Sequence, residues 1–255
     1  MQINKVTFTN PEGDQLTARV EMPDNEHPLA YTLFAHCFTC NKNLSAVRNI
    51  SRSLTSSGFG VMRFDFTGLG ESEGDFANTN FSSNIQDIQE AVEFLEQEYQ
   101  APSLLIGHSL GGAAVLYAAS DIPSVKAVAT IGAPADPNHV TQLISSGLNE
   151  IHEKGYADVS IGGRPFTIKK QFLDDLQAVN MPTVLTKMGK PLLIAHSPQD
   201  QIVGINNAGD IFKAARHPKS FISLDGADHL LSDSKDSAYI GKIIAHWAER
   251  YLSSE

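Results

Sequence analysis

Polar and apolar residues alternate along Ile3–Thr9 and again along Leu16–Met22, with the turn-rich Asn-Pro-Glu-Gly-Asp between them. That is the pattern of an antiparallel hairpin with one face on a core. The pattern then changes. Short, continuous apolar runs alternate with segments of helical periodicity: Tyr31–Ala35 then Ala46–Ser57, Val61–Phe66 then Phe81–Tyr99, Leu104–Gly107 then Leu110–Ser120, and finally Val125–Ile131. The last third resumes it with Pro191–His196 then Val203–Arg216, and Ser220–Leu224 then Asp236–Leu252. Strands that are apolar along their whole length are covered on both faces, and strand–helix alternation makes them parallel. The predicted fold class is α/β, a mostly parallel sheet between two layers of helices.

One stretch breaks the rhythm. Between Pro134 and Pro191 no core strand is evident, although Ala157–Ile168 reads as a hairpin turning at Gly162-Gly163 and Lys169–Val179 as an amphipathic helix. The expected organisation is a core built from residues 1–134 and 191–255 with an insertion over 135–190. An insertion at the C-terminal end of a sheet strand lies where α/β folds keep their sites, so a cap over a substrate pocket is expected.

Composition narrows the function classes. The 255 residues are 42% apolar and 19% charged, with 29 acidic against 19 basic side chains and a net charge of −10. No basic cluster exists to neutralise phosphates, and an acidic surface gives anionic lipid nothing to attract, so neither nucleic acid nor membrane is an expected partner. The membrane-like window Ala101–Ser120 lacks charged side chains but holds Pro102, His108, Ser109 and three glycines, so a buried strand running into a buried helix explains it. The alternating N-terminus has no apolar stretch of the kind a secretory signal needs. Two cysteines cannot form a disulfide scaffold in a chain of this size, and a reducing cytoplasm is the expected setting. Nothing in the sequence specifies an oligomeric state.

Gly107-His108-Ser109-Leu110-Gly111-Gly112 matches Gly-x-Ser-x-Gly, and so does Gly70-Glu71-Ser72-Glu73-Gly74. Context separates the two. Ser109 follows the apolar run Leu104-Leu105-Ile106 and precedes Ala113-Ala114-Val115-Leu116, which puts it on a strand-to-helix turn with the free N–H groups of a helix N-terminus beside it. Ser72 lies between two glutamates, whose field opposes an alkoxide, with no apolar helix after it. Ser109 is the candidate nucleophile. Such a serine needs a base, and the base an orienting carboxylate, following it in the order acid then histidine, each after a late strand. Asp200, four residues beyond Pro191–His196, and His229, five beyond Leu224, meet that requirement. Asp225 and Asp228 are so near His229 that shaping its turn is the better role for them. An oxyanion hole needs two N–H donors. One is expected from Leu110, after the nucleophile, and the other from the loop after the third strand, at Phe38 with Cys37 as nearest competitor.

The other histidines carry less. His108 is expected to point away from the site and pack or hydrogen-bond, His196 to buttress the Asp200 loop, and His36 to end the third strand. His27, His139, His152, His217 and His246 lack companions at ligand spacing, so no metal site is read. Cys37-Phe38-Thr39-Cys40 has the spacing of a redox pair, but no thioredoxin-like unit follows it, and two small buried residues in a tight loop are expected. Gly68-Leu69-Gly70 lacks the third glycine and the helix of a dinucleotide site.

Taken together, the elbow at Ser109, the Arg63-Phe64-Asp65…Gly68-Leu69-Gly70-Glu71-Ser72 loop and the placement of Asp200 and His229 resemble the α/β-hydrolase superfamily over essentially the whole chain. The His-Cys-Phe-Thr-Cys-Asn-Lys run at 36–42 is similar to the His-Gly-Phe-Thr-Gly loop of feruloyl/cinnamoyl-type esterases, with cysteine at both glycine positions, and the 135–190 insertion is similar to their small lid. That departure, with Phe64-Asp65-Phe66-Thr67-Gly68 and Gly74–Ser82, closely resembles the hydrolase half of bacterial hydrolase/OsmC-type fusion proteins, of which only that half is expected in these residues. The resemblance implies an eight-stranded, mostly parallel sheet and hydrolysis of carboxylic esters without a cofactor. The expected function is therefore a serine carboxylesterase for small acyl or aryl esters, acting through Ser109, His229 and Asp200, with Phe166, Phe172 and Met181 from the cap lining the substrate pocket. A thioesterase, amidase or perhydrolase would use the same residues. Two other classes stay open: a non-catalytic ligand-binding module, and a thiol-redox partner using Cys37 and Cys40.

Overall fold

The computed structural model describes residues 2–252. The hairpin of β1 (Gln2–Thr9) and β2 (Gln15–Met22) forms as the alternation predicts, paired antiparallel from Gln2 against Met22 to Thr9 against Gln15. There follow β3 (Tyr31–Ala35), α1 (Ser45–Ser56), β4 (Gly60–Phe64), α2 (Phe81–Glu98), β5 (Leu104–His108), α3 (Leu110–Ala118) and β6 (Ala127–Ile131). After a long excursion come β9 (Leu192–His196), α7 (Asn206–Ala214), β10 (Lys219–Ser223) and α8 (Ser234–Leu252). The strands form one eight-stranded sheet in the order β1-β2-β4-β3-β5-β6-β9-β10, antiparallel at β1, β2 and β4 and parallel from β4 onward.

Every residue of β3, β4, β5, β6 and β9 is buried, which is why these segments read as unbroken apolar runs. One face of the sheet is covered by α1 and α8, with Val47, Ile50 and Leu54 meeting Ile240, Ile244 and Ala248 in one cluster. A larger cluster on the other face holds Ile88, Ala91 and Leu95 of α2 and Ala113, Val115 and Leu116 of α3. The α2 helix starts sharply because Asn80 and Ser83 cap each other reciprocally, Ser83 N–H donating to Asn80 Oδ1 at 2.8 Å and Asn80 N–H to Ser83 Oγ at 2.9 Å.

The excursion runs through a 3₁₀ segment (Pro137–Gly147), α4 (Leu148–Lys154), the hairpin β7 (Tyr156–Ile161) and β8 (Arg164–Lys169), α5 (Lys170–Gln177) and α6 (Met181–Met188). The hairpin and α5 follow the sequence expectation; the other helices do not appear in it. For α6 the signals were present but short: an Asn180 cap accepting from Thr183 N–H at 3.1 Å, Pro182 in the first turn and Gly189 in left-handed geometry at its end. A further difference is the late start of α7. Val203, expected inside it, belongs instead to a turn whose N–H donates to Asp200 Oδ1 at 2.8 Å.

The strand order creates the place for a site. β3 lies between β4 and β5, and the helices leaving β3 and β5 go to opposite faces, so the loops after these two neighbours part and leave a crevice. In register Ala35 is opposite Gly107, so the two strand ends are level. On the other side of β6, His196 is opposite Ser223, which makes the loops after β9 and β10 neighbours as well. Among the described residues, no helix is long and apolar enough to cross a membrane.

Candidate active site

Ser109 is the single residue between β5 and α3, with φ 55° and ψ −126°. A side-chain-bearing residue held in that region is a strained turn, as a nucleophile elbow requires. The turn forms because α3 can approach β3 closely: a Cβ on Gly111 would lie 2.3 Å from the His36 carbonyl oxygen. The elbow therefore rests on the very loop that carries Phe38.

The structure brings Ser109, His229 and Asp200 into one hydrogen-bonded chain across 120 residues of sequence. His229 Nε2 lies 3.0 Å from Ser109 Oγ and His229 Nδ1 lies 2.7 Å from Asp200 Oδ2. A carboxylate only accepts, so the imidazole proton sits on Nδ1 and the Nε2 lone pair faces the serine hydroxyl. All three residues are nearly buried, with Ser109 8% exposed. Gly132, just after β6 at φ +55°, gives the base loop its passage: a Cβ there would sit 3.3 Å from Asp200 Oδ2 and 3.4 Å from His229 Nδ1.

Asp200 is held as a carboxylate. Burial pushes its pKa upward, but the bonds from His229, Val203 and Ile202 outweigh it, leaving the group below the ordinary carboxylate value. Its Oδ1 accepts from both Ile202 N–H and Val203 N–H at 2.8 Å, leaving Oδ2 for the histidine. Two more buried histidines brace the pair. His196 Nε2–H donates to the Val203 carbonyl at 2.7 Å, in the buttressing position expected of it. His108 packs beside the His229 ring, centroids 5.1 Å apart, and donates from Nε2 to the His229 carbonyl at 2.7 Å. Burial, with the charge of His229 adding to it, lowers the His108 pKa to about 3, so the ring stays neutral.

Phe38 and Leu110, the two expected oxyanion donors, both line one small cavity, together with His36, Cys37, Gly111, Phe66 and Phe76. As the first residue of α3, Leu110 has an N–H with no acceptor in its own helix. Of the three expected cap residues, Phe172 stacks on Phe38 with ring centroids 5.5 Å apart, and Phe166 reaches the same aromatic layer through Phe76 at 5.0 Å. Met181 is 2% exposed and sealed in the core at the start of α6. Ser72, the rival serine, is tied into its loop, donating to the Asp65 carbonyl at 2.6 Å and accepting from Thr17 N–H at 2.9 Å.

Sequence reasoning missed two things around this site. First, the cysteines are joined: Cys37 and Cys40 form a disulfide, with Cα atoms 5.3 Å apart. The expectation of two small buried residues is corrected to a disulfide, because the turn after β3 brings the pair within bonding reach. Second, Lys42 is fully buried and pairs with Asp65, while its Nζ also donates to Glu71 Oε2 at 2.7 Å and Arg63 Nη1 donates to its carbonyl at 2.6 Å. Hydrogen bonding from Lys42 and Lys5 holds the Glu71 carboxyl down at about 2. The Arg63–Ser72 run thus anchors the far end of the Phe38 loop.

Residues 28–178 match the model of the Hydrolase_4 family, serine aminopeptidase S33. Among solved structures, the esterase domain of a Rhodothermus marinus protein is 54% identical, aligns over 99% of this chain and 100% of that one, and superposes with a TM-score of 0.82. Est1E from Butyrivibrio proteoclasticus, in a structure with ferulic acid bound, shares the fold at 19% identity, with a TM-score of 0.79 over 98% of this chain and all of its own. The mitochondrial palmitoyl-protein thioesterase ABHD10 of Rattus norvegicus is 32% identical over 127 residues, 48% of this chain and 41% of that protein. The chain spans about half the length, or less, of several of the curated relatives it matches. On fold and on these matches, the chain belongs to the serine aminopeptidase S33 family of α/β hydrolases, among relatives that include esterases.

Proposed function

We propose that this chain is a serine carboxylesterase for small acyl or aryl esters, with Ser109 as nucleophile, His229 as base and then acid, and Asp200 as the group that orients it. The observation that carries the reading is the 3.0 Å contact of Ser109 Oγ with an imidazole nitrogen whose lone pair is freed by Asp200 on the other side of the ring. Ser109 Oγ attacks the ester carbonyl while His229 Nε2 takes its proton. The oxyanion that forms is met by the N–H groups of Leu110 and Phe38 and by the N-terminus of α3. His229 then protonates the departing alcohol, and water, activated by the same nitrogen, releases the acid. No step needs a metal or cofactor. Residues 135–190 act as the cap, with Phe172 and Phe166 closing the aromatic layer over Phe38.

The experiment is a panel of p-nitrophenyl esters of graded acyl length, with a thioester and an anilide included, run on wild type and Ser109→Ala. Ester turnover that vanishes in the variant, with Ser109 labelled by a fluorophosphonate in wild type, is the expected result. Turnover that survives in Ser109→Ala sinks the assignment. The name of the ABHD10 relative makes the thioester arm the second reading. A thioester hydrolysed much faster than the matched oxygen ester would replace the first.

A further inference from the structure

The loop from His36 to Lys42 is held firmly at both ends. At its start, His36 Nδ1–H donates to the Cys37 carbonyl at 2.8 Å, and Phe66 N–H reaches the other ring nitrogen at 3.5 Å. At its end, Lys42 is locked by Asp65, Glu71 and Arg63, with its own N–H donating to Asp65 Oδ1 at 2.6 Å. Between these anchors stand Phe38 and Thr39, both inside the ring closed by the Cys37–Cys40 disulfide. Thr39 has φ +59°, a conformation that a β-branched residue adopts only under constraint. Three bonds impose it: the disulfide, the Cys40 N–H to Cys37 carbonyl contact at 3.1 Å, and a hydrogen bond from the Arg164 guanidinium to the Thr39 carbonyl. Only the first is covalent, and only the first can be opened by chemistry without changing the sequence.

We propose that the Cys37–Cys40 disulfide is a thiol–disulfide exchange site that positions the Phe38 N–H, so that its oxidised form is the competent one and a dithiol reductant lowers turnover. The inference rests on the serine-esterase reading of the same site. Cys40 is partly exposed while Cys37 is buried, which makes Cys40 Sγ the sulfur a thiolate reaches first. Attack there breaks the S–S bond, forms a mixed disulfide on Cys40 and expels Cys37 as thiolate. The second thiol of the dithiol then attacks its own sulfur in the mixed disulfide, closes as a cyclic disulfide and expels Cys40. Two electrons pass from dithiol to protein, and its two protons end on Cys37 and Cys40. Opening the ring frees Thr39 from its left-handed conformation and lets the Phe38 N–H swing off its aim. It also leaves a polarisable, ionisable sulfur at Cys37, next to the place where the transition state gathers negative charge. A disulfide in a cytoplasm, the setting expected from the sequence, is transient and redox-responsive as a rule, which suits such a role.

The effect belongs in kcat. Removing one oxyanion donor outright lowers kcat about 10²–10³-fold, and loosening it is expected to lower kcat about tenfold, with KM nearly unchanged. The test treats oxidised wild type with dithiothreitol, follows the two-dalton mass gain and thiol count, and measures kcat, KM and the thermal midpoint before and after reoxidation. A Cys37→Ser/Cys40→Ser variant is measured alongside. The expected result is a reversible fall in kcat that tracks the thiol count, with a small change in thermal midpoint, and a variant that sits at the reduced level and ignores dithiothreitol. A disulfide that stays closed under native conditions overturns the exchange, and a double variant with full kcat overturns the positioning role. A general loss of stability with kcat and KM moving together would reduce the bond to a structural tie. If oxidised wild type hydrolyses none of the esters, the esterase reading has failed instead. The rate at which a fluorophosphonate labels Ser109 in the two redox forms then decides the redox proposal alone.

Discussion

Two segments of this chain carry the same five-residue pattern and fold into opposites. Gly107–Gly111 bends between a buried strand and a buried helix, with Ser109 strained at φ 55° and its oxygen facing an imidazole. Gly70–Gly74 forms a surface loop in which the Ser72 hydroxyl is spent on two backbone groups, the Asp65 carbonyl and Thr17 N–H. The first hydroxyl is held where a base can take its proton; the second is a structural bracket between β2 and the loop after β4. The difference lies in the flanks. Apolar residues on either side of Ser109 force a strand and a helix that meet at a point, while Glu71 and Glu73 keep Ser72 in solvent-facing structure, Glu71 bound to Lys5 and Lys42.

Alanine at each serine is the sharpest way to break this contrast. Ser109→Ala should remove ester turnover, by about 10⁴-fold or more in kcat, with little change in thermal midpoint. Ser72→Ala should leave kcat close to wild type. A Ser72→Ala enzyme that loses turnover while staying folded would erase the distinction. Next in size is Asp200→Asn, which keeps the shape but offers His229 an amide in place of a carboxylate. The imidazole can then settle in the wrong tautomer, and kcat should fall about 10³–10⁴-fold. A loss under tenfold would show that the 2.7 Å contact does not set the proton on Nδ1.

Smaller effects belong to the loop. Ser72→Ala leaves the Thr17 N–H without its acceptor, and a loss of about 1–3 kcal/mol in unfolding free energy is expected, read by denaturant titration. The same loop gives a pH signature. Thr67 N–H and hydroxyl both donate to Asp87 at 2.9 Å, yet burial dominates and raises the Asp87 pKa to about 7, with Glu12 and Asp14 adding to it. In the unfolded chain this carboxyl titrates at about 4. Between those two values the folded protein holds a proton that the unfolded chain has released, so stability falls as pH rises through the window and stays lower above it. Thermal midpoints from pH 5 to 8 should therefore decline in wild type and flatten in Asp87→Asn. Parallel curves for the two proteins would show that Asp87 does not titrate there.

Much of the fold was legible because it is written locally. Continuous apolar runs marked the five buried strands, and period-two alternation marked the opening hairpin. The excursion was read less well. Its helices are short, and α6 contains Val184 and two threonines, so its caps carried the only clear signal. The candidate site was legible in its residues but not in its supports. Ser109, Asp200 and His229 follow from strand ends and chain order, whereas nothing near Lys42 in sequence announces Asp65 or Arg63 as its partners, and nothing near His108 announces the His229 carbonyl 121 residues away.

By itself the sequence determined the strand–helix alternation and the strained serine turn, each written in residues within a few positions of one another, and the acid-then-histidine order, which is read from where the late strands end. Only the tertiary structure decided which nitrogen of His229 faces Ser109, that Cys37 and Cys40 are joined, and that a buried lysine anchors the loop between them and the sheet. The first and the last depend on strand order and register, while the disulfide, between residues with a sequence separation of 3, depends on the turn after β3. Setting β3 beside β5, with Ala35 level with Gly107, brings the Phe38 loop against the Ser109 elbow. Contacts made that way join distant segments at a cost in chain entropy that no local pattern records.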